Sequence, residues 1–151
     1  MTTTNSGASR DELVDALAQV AFATMAVLSK AASDNQLSLT QFRAIQILSD
    51  RRLRISELAA FLGLEKSTLS GLVVRAEKRG LLQRLPADGD GRAVHVTIAP
   101  AGQQLATRVR ASVVEALAPL IGGLETSDQA RLQSLLERML AHADFWGGLR
   151  G

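Results

Sequence analysis

The sequence predicts a mainly α-helical fold with one small β-hairpin, and three observations point to it. Apolar residues recur at steps of three and four along most of the 151 residues, the spacing of helices that bury one face. Two short runs, 81–85 and 94–98, alternate with a period of two and flank the segment Pro86-Ala87-Asp88-Gly89-Asp90-Gly91, which reads as a hairpin with a polar, Gly-rich tip. Positive charge is concentrated in the middle: residues 43–92 hold 10 basic and 6 acidic side chains, against 2 and 4 before them and 5 and 5 after. That distribution is expected if one face meets a polyanion, and also of a solvated face on an Arg-rich protein.

Composition narrows the function classes. The chain contains no cysteine, which removes disulfides, thiolate catalysis, cysteine redox sensing and zinc-finger sites. Its two histidines, His95 and His142, fall in different elements and make no metal cluster, so neither a metal nor a cofactor is expected. No serine sits in a recognisable His and carboxylate constellation, and no Gly-rich loop leads from a strand into a helix in phosphate-binding form. An enzyme is not expected. No signal pattern opens the chain and no apolar run approaches the roughly 20 residues of a membrane span. A soluble, cytoplasmic protein is the expectation.

The elements follow in order. Residues 1–9 are polar and patternless and read as a disordered end, leaving 10–151 as one domain. Leu13, Leu17, Val20, Thr24 and Val27 step along a long helix over 10–32, with Asp11 and Glu12 at its positive end. After a loop, Thr40 is an N-cap candidate for a short helix bearing Phe42, Ile45, Ile47 and Leu48. An extended piece at 53–55 leads to Ser56, the N-cap candidate for a helix over 57–62 that Gly63 breaks. The next helix lies within 64–80 and ends at Gly80, so the pair forms a helix-turn-helix, and the hairpin follows directly. Pro100 opens a helix that Pro119 should kink or end near 118. Thr126 and Gln129, at capping-box spacing, open a last helix with Leu132, Leu135, Leu136, Met139 and Leu140 on its stripe. The terminal helices, 10–32 and 100–146, carry more apolar surface than the 38–99 region can cover. A two-fold homodimer would cover it.

The helix within 64–80 is the candidate reader of DNA. Leu69, Leu72, Val73 and Ala76 form its core stripe, while Ser67, Gly71, Val74 and Lys78 lie opposite, flanked by Thr68, Ser70 and Arg75. The hydroxyls could donate to phosphates or bases, or act as caps. Glycine inside a helix costs about 1 kcal/mol relative to alanine, so Gly71 at the centre of the outer face suggests close backbone approach to a groove, with Val74 set to touch a thymine methyl. Arg75, Lys78 and Arg79 would position the helix on phosphates, unless they pair with Glu77 or a wing aspartate.

This order of elements resembles the MarR family of bacterial transcription regulators over about residues 10–143. The motifs carrying the resemblance are Ile55-Ser56-Glu57-Leu58-Ala59, Ser67-Thr68-Leu69-Ser70, Lys78-Arg79-Gly80-Leu81-Leu82-Gln83-Arg84, Asp90-Gly91-Arg92 and Gly102. Gly71, Ala76 and Ala99 depart from the pattern, the first in the reading face and the others in packing and capping. The resemblance implies a winged helix-turn-helix domain flanked by dimerisation helices, acting as a ligand-responsive repressor on a pseudo-palindromic operator of double-stranded DNA. It assigns Arg92 to the minor groove, with Asp90 and Asp88 supporting it; an Asp-Gly turn accounts equally for Asp88-Gly89. It also implies a small aromatic or phenolic effector held between the dimer helices and the winged helix. Phe22, Met25, Phe42 and Phe61 are the candidate lining, although an aromatic residue or Met at helical spacing is more often core. The alternative function is a dimeric winged-helix protein-interaction module without specific DNA binding.

Overall fold

The stop signals are set by backbone geometry. In the computed structural model, which describes residues 9–86, 89 and 94–142, Gly63 and Gly80 both take left-handed φ values, +66° and +71°. At each, the following amide closes back five residues, Leu64 N–H to Ala59 O and Leu81 N–H to Ala76 O, both 3.0 Å. These are Schellman endings, which glycine enters without a Cβ penalty. They terminate α3 (Ile55–Leu62) and α4 (Lys66–Lys78).

The helix starts are displaced from the expected caps. Ser9, expected in the disordered end, is instead the N-cap of α1 (Arg10–Asp34): its hydroxyl accepts from Glu12 N–H while the Glu12 carboxylate accepts from Ser9 N–H. The remainder of that end, residues 1–8, lies outside the described residues. α2 (Leu39–Leu48) is capped by Ser38 rather than Thr40, because only Ser38 has a glutamine, Gln41, three residues on to complete the capping box. α3 begins before Ser56. Arg54 occupies the cap, and Glu57 accepts its backbone N–H at 2.7 Å.

α5 (Pro100–Ile121) runs through Pro119 rather than ending near 118. Proline so close to the end removes one intrahelical bond, and the helix stops two residues later. α6 (Thr126–His142) has Thr126 as its first helical residue; Gln129 reaches back to the Leu124 carbonyl instead of closing a box.

The three strands, β1 (Leu53–Arg54), β2 (Leu82–Pro86) and β3 (Val94–Ile98), form an antiparallel sheet in the order β1-β3-β2. Val96 lies between Leu53 and Arg84 in the register and is fully buried. The core joins Phe42, Ile45 and Leu48 of α2, Leu58 of α3, Leu69 and Val73 of α4, and Leu82, Val96 and Val109. α5 closes against it at Gly102, where any Cβ would collide with the Leu81 carbonyl oxygen. That carbonyl also accepts Ala99 N–H at 2.9 Å, so the wing and α5 are fastened to the end of α4 at one point.

The long helices are finished differently. α6 buries no residue, and Leu132, Leu135, Leu136, Met139 and Leu140 all stay exposed, as do Leu13, Leu17, Val20 and Phe22 of α1. The expectation that no apolar stretch reaches membrane-spanning length needs correction. α1 is long and apolar enough by length and composition, with an 18-residue window of mean hydropathy 1.4 and none of it buried. Its alanine-rich sequence keeps charges sparse over a run where leucines alone suggest only an amphipathic helix.

Candidate nucleic-acid interface

α4 owes its position to its inner stripe. Leu69, Leu72, Val73 and Ala76 are all buried, which turns the opposite face outward. Ser67, Thr68, Arg75 and Lys78 are exposed, and Ser70, Gly71 and Val74 are half-buried on the same side. The seven α4 residues chosen from the sequence therefore share one surface. Ser70 is committed locally, its hydroxyl donating to the Lys66 carbonyl at 2.9 Å, which leaves its lone pairs as acceptors. Ser67 and Thr68 lie in the first turn, where backbone N–H groups point outward and favour an anion.

Gly71 is not required by the chain's own packing. A Cβ there would meet only the Arg75 guanidinium, at an ordinary contact distance of 3.4 Å. Arg75 thus folds over the glycine one turn earlier and lies across the middle of the outer face. Glu77 does not neutralise this face: it pairs with Arg84 of β2 at 2.9 Å, tying the helix to the wing. Among the described residues neither Arg75 nor Lys78 pairs with a carboxylate.

Arg79 behaves differently from its neighbours. It does not join the outer face; its guanidinium donates to the carbonyls of Gln36 (2.6 Å) and Asn35 (3.2 Å) at the end of α1. In the DNA-free chain its guanidinium is therefore engaged by α1 rather than presented beside Arg75 and Lys78. Sequence patterning missed this contact because the partners lie 43 and 44 residues away and are backbone atoms.

A second basic group flanks the sheet. Arg51 pairs with Asp50 at 3.0 Å, which holds the Asp50 carboxyl below the usual range by hydrogen bonding and charge. Arg52 and Arg54 follow as exposed side chains at β1. The wing-tip residues Asp88, Asp90 and Arg92 lie outside the described residues; only Gly89, with φ +83°, is placed.

None of the four residues considered for an effector pocket lines either of the two clefts described below. Phe42 is 1% exposed in the core, whereas Phe22, Met25 and Phe61 are exposed on α1 and α3. Packing of α2 onto the sheet requires a large apolar side chain at Phe42, and the outward stripes of α1 and α3 take the rest. The clefts lie elsewhere. One of about 330 Å³ between α1 and α5 is lined by Val27, Lys30, Ala31, Asp34, Ser112, Glu115 and Ala116. Another, of about 170 Å³ between α2 and α5, is lined by Gln46, Ser49, Gln103, Ala106, Thr107 and Arg110.

Comparison with known proteins gives the same architecture. Residues 35–93 match the model of the MarR family. The chain is 26% identical over 132 residues to the homoprotocatechuate degradative operon repressor of Escherichia coli, covering 87% of this chain and 89% of that protein. It is 27% identical over 134 residues to the HTH-type transcriptional regulator PecS of Dickeya dadantii, covering 86% and 81%. The crystal structure of NadR in complex with 4-hydroxyphenylacetate superposes with a TM-score of 0.70 at 24% identity, over 95% of this chain and all of that one. The helix-turn-helix and its outward α4 face, the family-model match over residues 35–93 and the relatives aligned over most of the chain agree: the chain is similar to regulators of the MarR family.

Proposed function

We propose that the protein is a transcriptional repressor that binds a pseudo-palindromic operator in double-stranded DNA as a homodimer and releases it when a small aromatic or phenolic effector binds. The observation that carries the reading is the outer face of α4, small at its centre and cationic toward its end, with its core stripe wholly buried. Ser67, Thr68 and Ser70 serve the phosphates and base edges, while Gly71 and Val74 let the helix lie close to the groove floor. Arg75 and Lys78 hold phosphates. Arg92 enters the minor groove from the wing, positioned by Asp90 and Asp88.

The dimer rests on α1, α5 and α6, whose apolar side chains the chain leaves uncovered. The hydropathy of α1 is that of a helix closed by a second copy rather than by lipid, because the same chain carries a nucleic-acid reading face. Two-fold symmetry would set the paired α4 helices about 34 Å apart, one turn of DNA.

The effector class draws support from the names of two similar proteins, one a repressor of homoprotocatechuate degradation and one crystallised with 4-hydroxyphenylacetate. Here the α1–α5 cleft is the space offered to an aromatic ring: Val27, Ala31 and Ala116 supply its apolar wall and Ser112 a hydroxyl for a phenol, while Lys30 is paired with Asp34 at 2.8 Å and Glu115 disfavours a carboxylate.

Fluorescence anisotropy with duplexes from the DNA flanking the protein's own gene tests the reading. Specific binding that falls steeply with salt, is weakened about tenfold or more by Arg92→Ala, and is reversed by millimolar 4-hydroxyphenylacetate or a related phenol is expected. Binding no tighter than to a scrambled duplex would favour a protein-interaction module instead.

A further inference from the structure

Three facts converge at the end of α1. First, the helix closes in a Schellman turn, with Leu37 N–H on Ala32 O (2.9 Å) and Gln36 N–H on Ser33 O (3.0 Å). The left-handed position is filled by Gln36, φ +56°, the single non-glycine residue with positive φ among those described. The same turn at Gly63 and Gly80 uses glycine. A side chain in that conformation costs on the order of 1–2 kcal/mol and persists where surrounding contacts over-determine it. Second, the last turn of α1 has no basic residue of its own, although the negative end of a helix favours one. Third, Arg79, the C-cap of α4, places its guanidinium on the Gln36 and Asn35 carbonyls. A cation carried at the end of α4 thus serves the negative end of α1, and its fork fixes the relative position of the two helix ends in a way a single-point ammonium would not.

We propose that Arg79 is a positioning residue: it ties the C-terminal end of the recognition helix α4 to the end of the long helix α1, and so sets the spacing and tilt at which a dimer presents its two reading faces. The DNA half of this inference rests on the operator-binding reading; the tie itself does not. Gln36 is its counterpart. The left-handed turn aims both carbonyls at the guanidinium, and the guanidinium in turn holds a turn that glutamine would otherwise resist.

Hydrogen exchange on the DNA-free full chain tests the tie directly. Arg79→Gln is expected to speed exchange about tenfold both at the Gln36 and Leu37 amides and at the last turn of α4. Adding Gln36→Gly should restore protection at the α1 turn, because glycine accepts its φ without strain, while α4 stays fast. A merely structural role would let the second substitution restore both regions, and unchanged exchange in both would refute the tie. On DNA, wild type should prefer one half-site spacing, and Arg79→Gln should flatten that preference with the salt slope unchanged. A slope lower by about 2, from one lost phosphate contact per protomer, with spacing preference intact would show Arg79 to be a DNA contact and overturn the proposal. If wild type binds no duplex, it is the repressor reading that fails, and the exchange experiment still decides the tie.

Discussion

In α2, α3 and α4 the apolar stripe ends up inside; in α1, the outer half of α5 and α6 it ends up on the surface. Leu58, Leu69 and Val73 are wholly buried, whereas Leu136 and Met139 of α6 remain 41% and 52% exposed. Both regions show the same helical periodicity. The difference is that the winged helix-turn-helix region has a sheet, neighbouring helices and the start of α5 to close over its stripes, while α6 buries no residue among the described residues. One region is complete as a monomer and carries the reading face. The other leaves its stripes uncovered among the described residues, and on the proposed reading a second copy covers them with matching stripes.

The contrast can be broken from either side. The largest effect is expected in the complete region: Leu69→Ala should cost about 2–5 kcal/mol of stability, read by denaturant unfolding, because the side chain has no solvent contact to fall back on. In the incomplete region, Leu136→Glu should leave the fold of the winged region unchanged but weaken dimerisation by about 100-fold, read by sedimentation, since a carboxylate would have to be buried unpaired. At the junction, Gly102→Ala should destabilise by about 1–3 kcal/mol, because the Leu81 carbonyl occupies the space of the added methyl. The smallest effect should come from the reading face. Gly71→Ala should raise stability by about 1 kcal/mol, since the methyl meets only Arg75, while lowering operator affinity if the backbone must approach the groove. Higher stability with unaltered affinity would remove the argument for close approach at Gly71.

The regions also differ in how much of them the sequence discloses. The α4 stripe and its ending at Gly80 are legible because period and backbone conformation are local properties. The caps are legible only to within a residue or two. Thr40 and Ser38 offer the same hydroxyl, and Gln41 decides between them by where its side chain reaches. Arg79 reads as one more cation of the basic segment, because nothing local distinguishes it from Lys78. Its partners are carbonyls exposed by a turn on another helix. The aromatic residues proposed for a pocket show the same limit: periodicity marks Phe42 as apolar, and only the tertiary packing makes it core rather than lining.

On the proposed reading two copies, joined through α1, α5 and α6, present two α4 helices to one face of DNA. Analytical ultracentrifugation of the chain with a fluorescent two-half-site duplex tests it most directly. A free protein of twice 16.1 kDa and a complex of two chains per duplex are expected, with at least a tenfold loss of affinity when one half-site is scrambled. A chain that stays at 16.1 kDa at micromolar concentration, or a complex indifferent to the scrambled half-site, would contradict it.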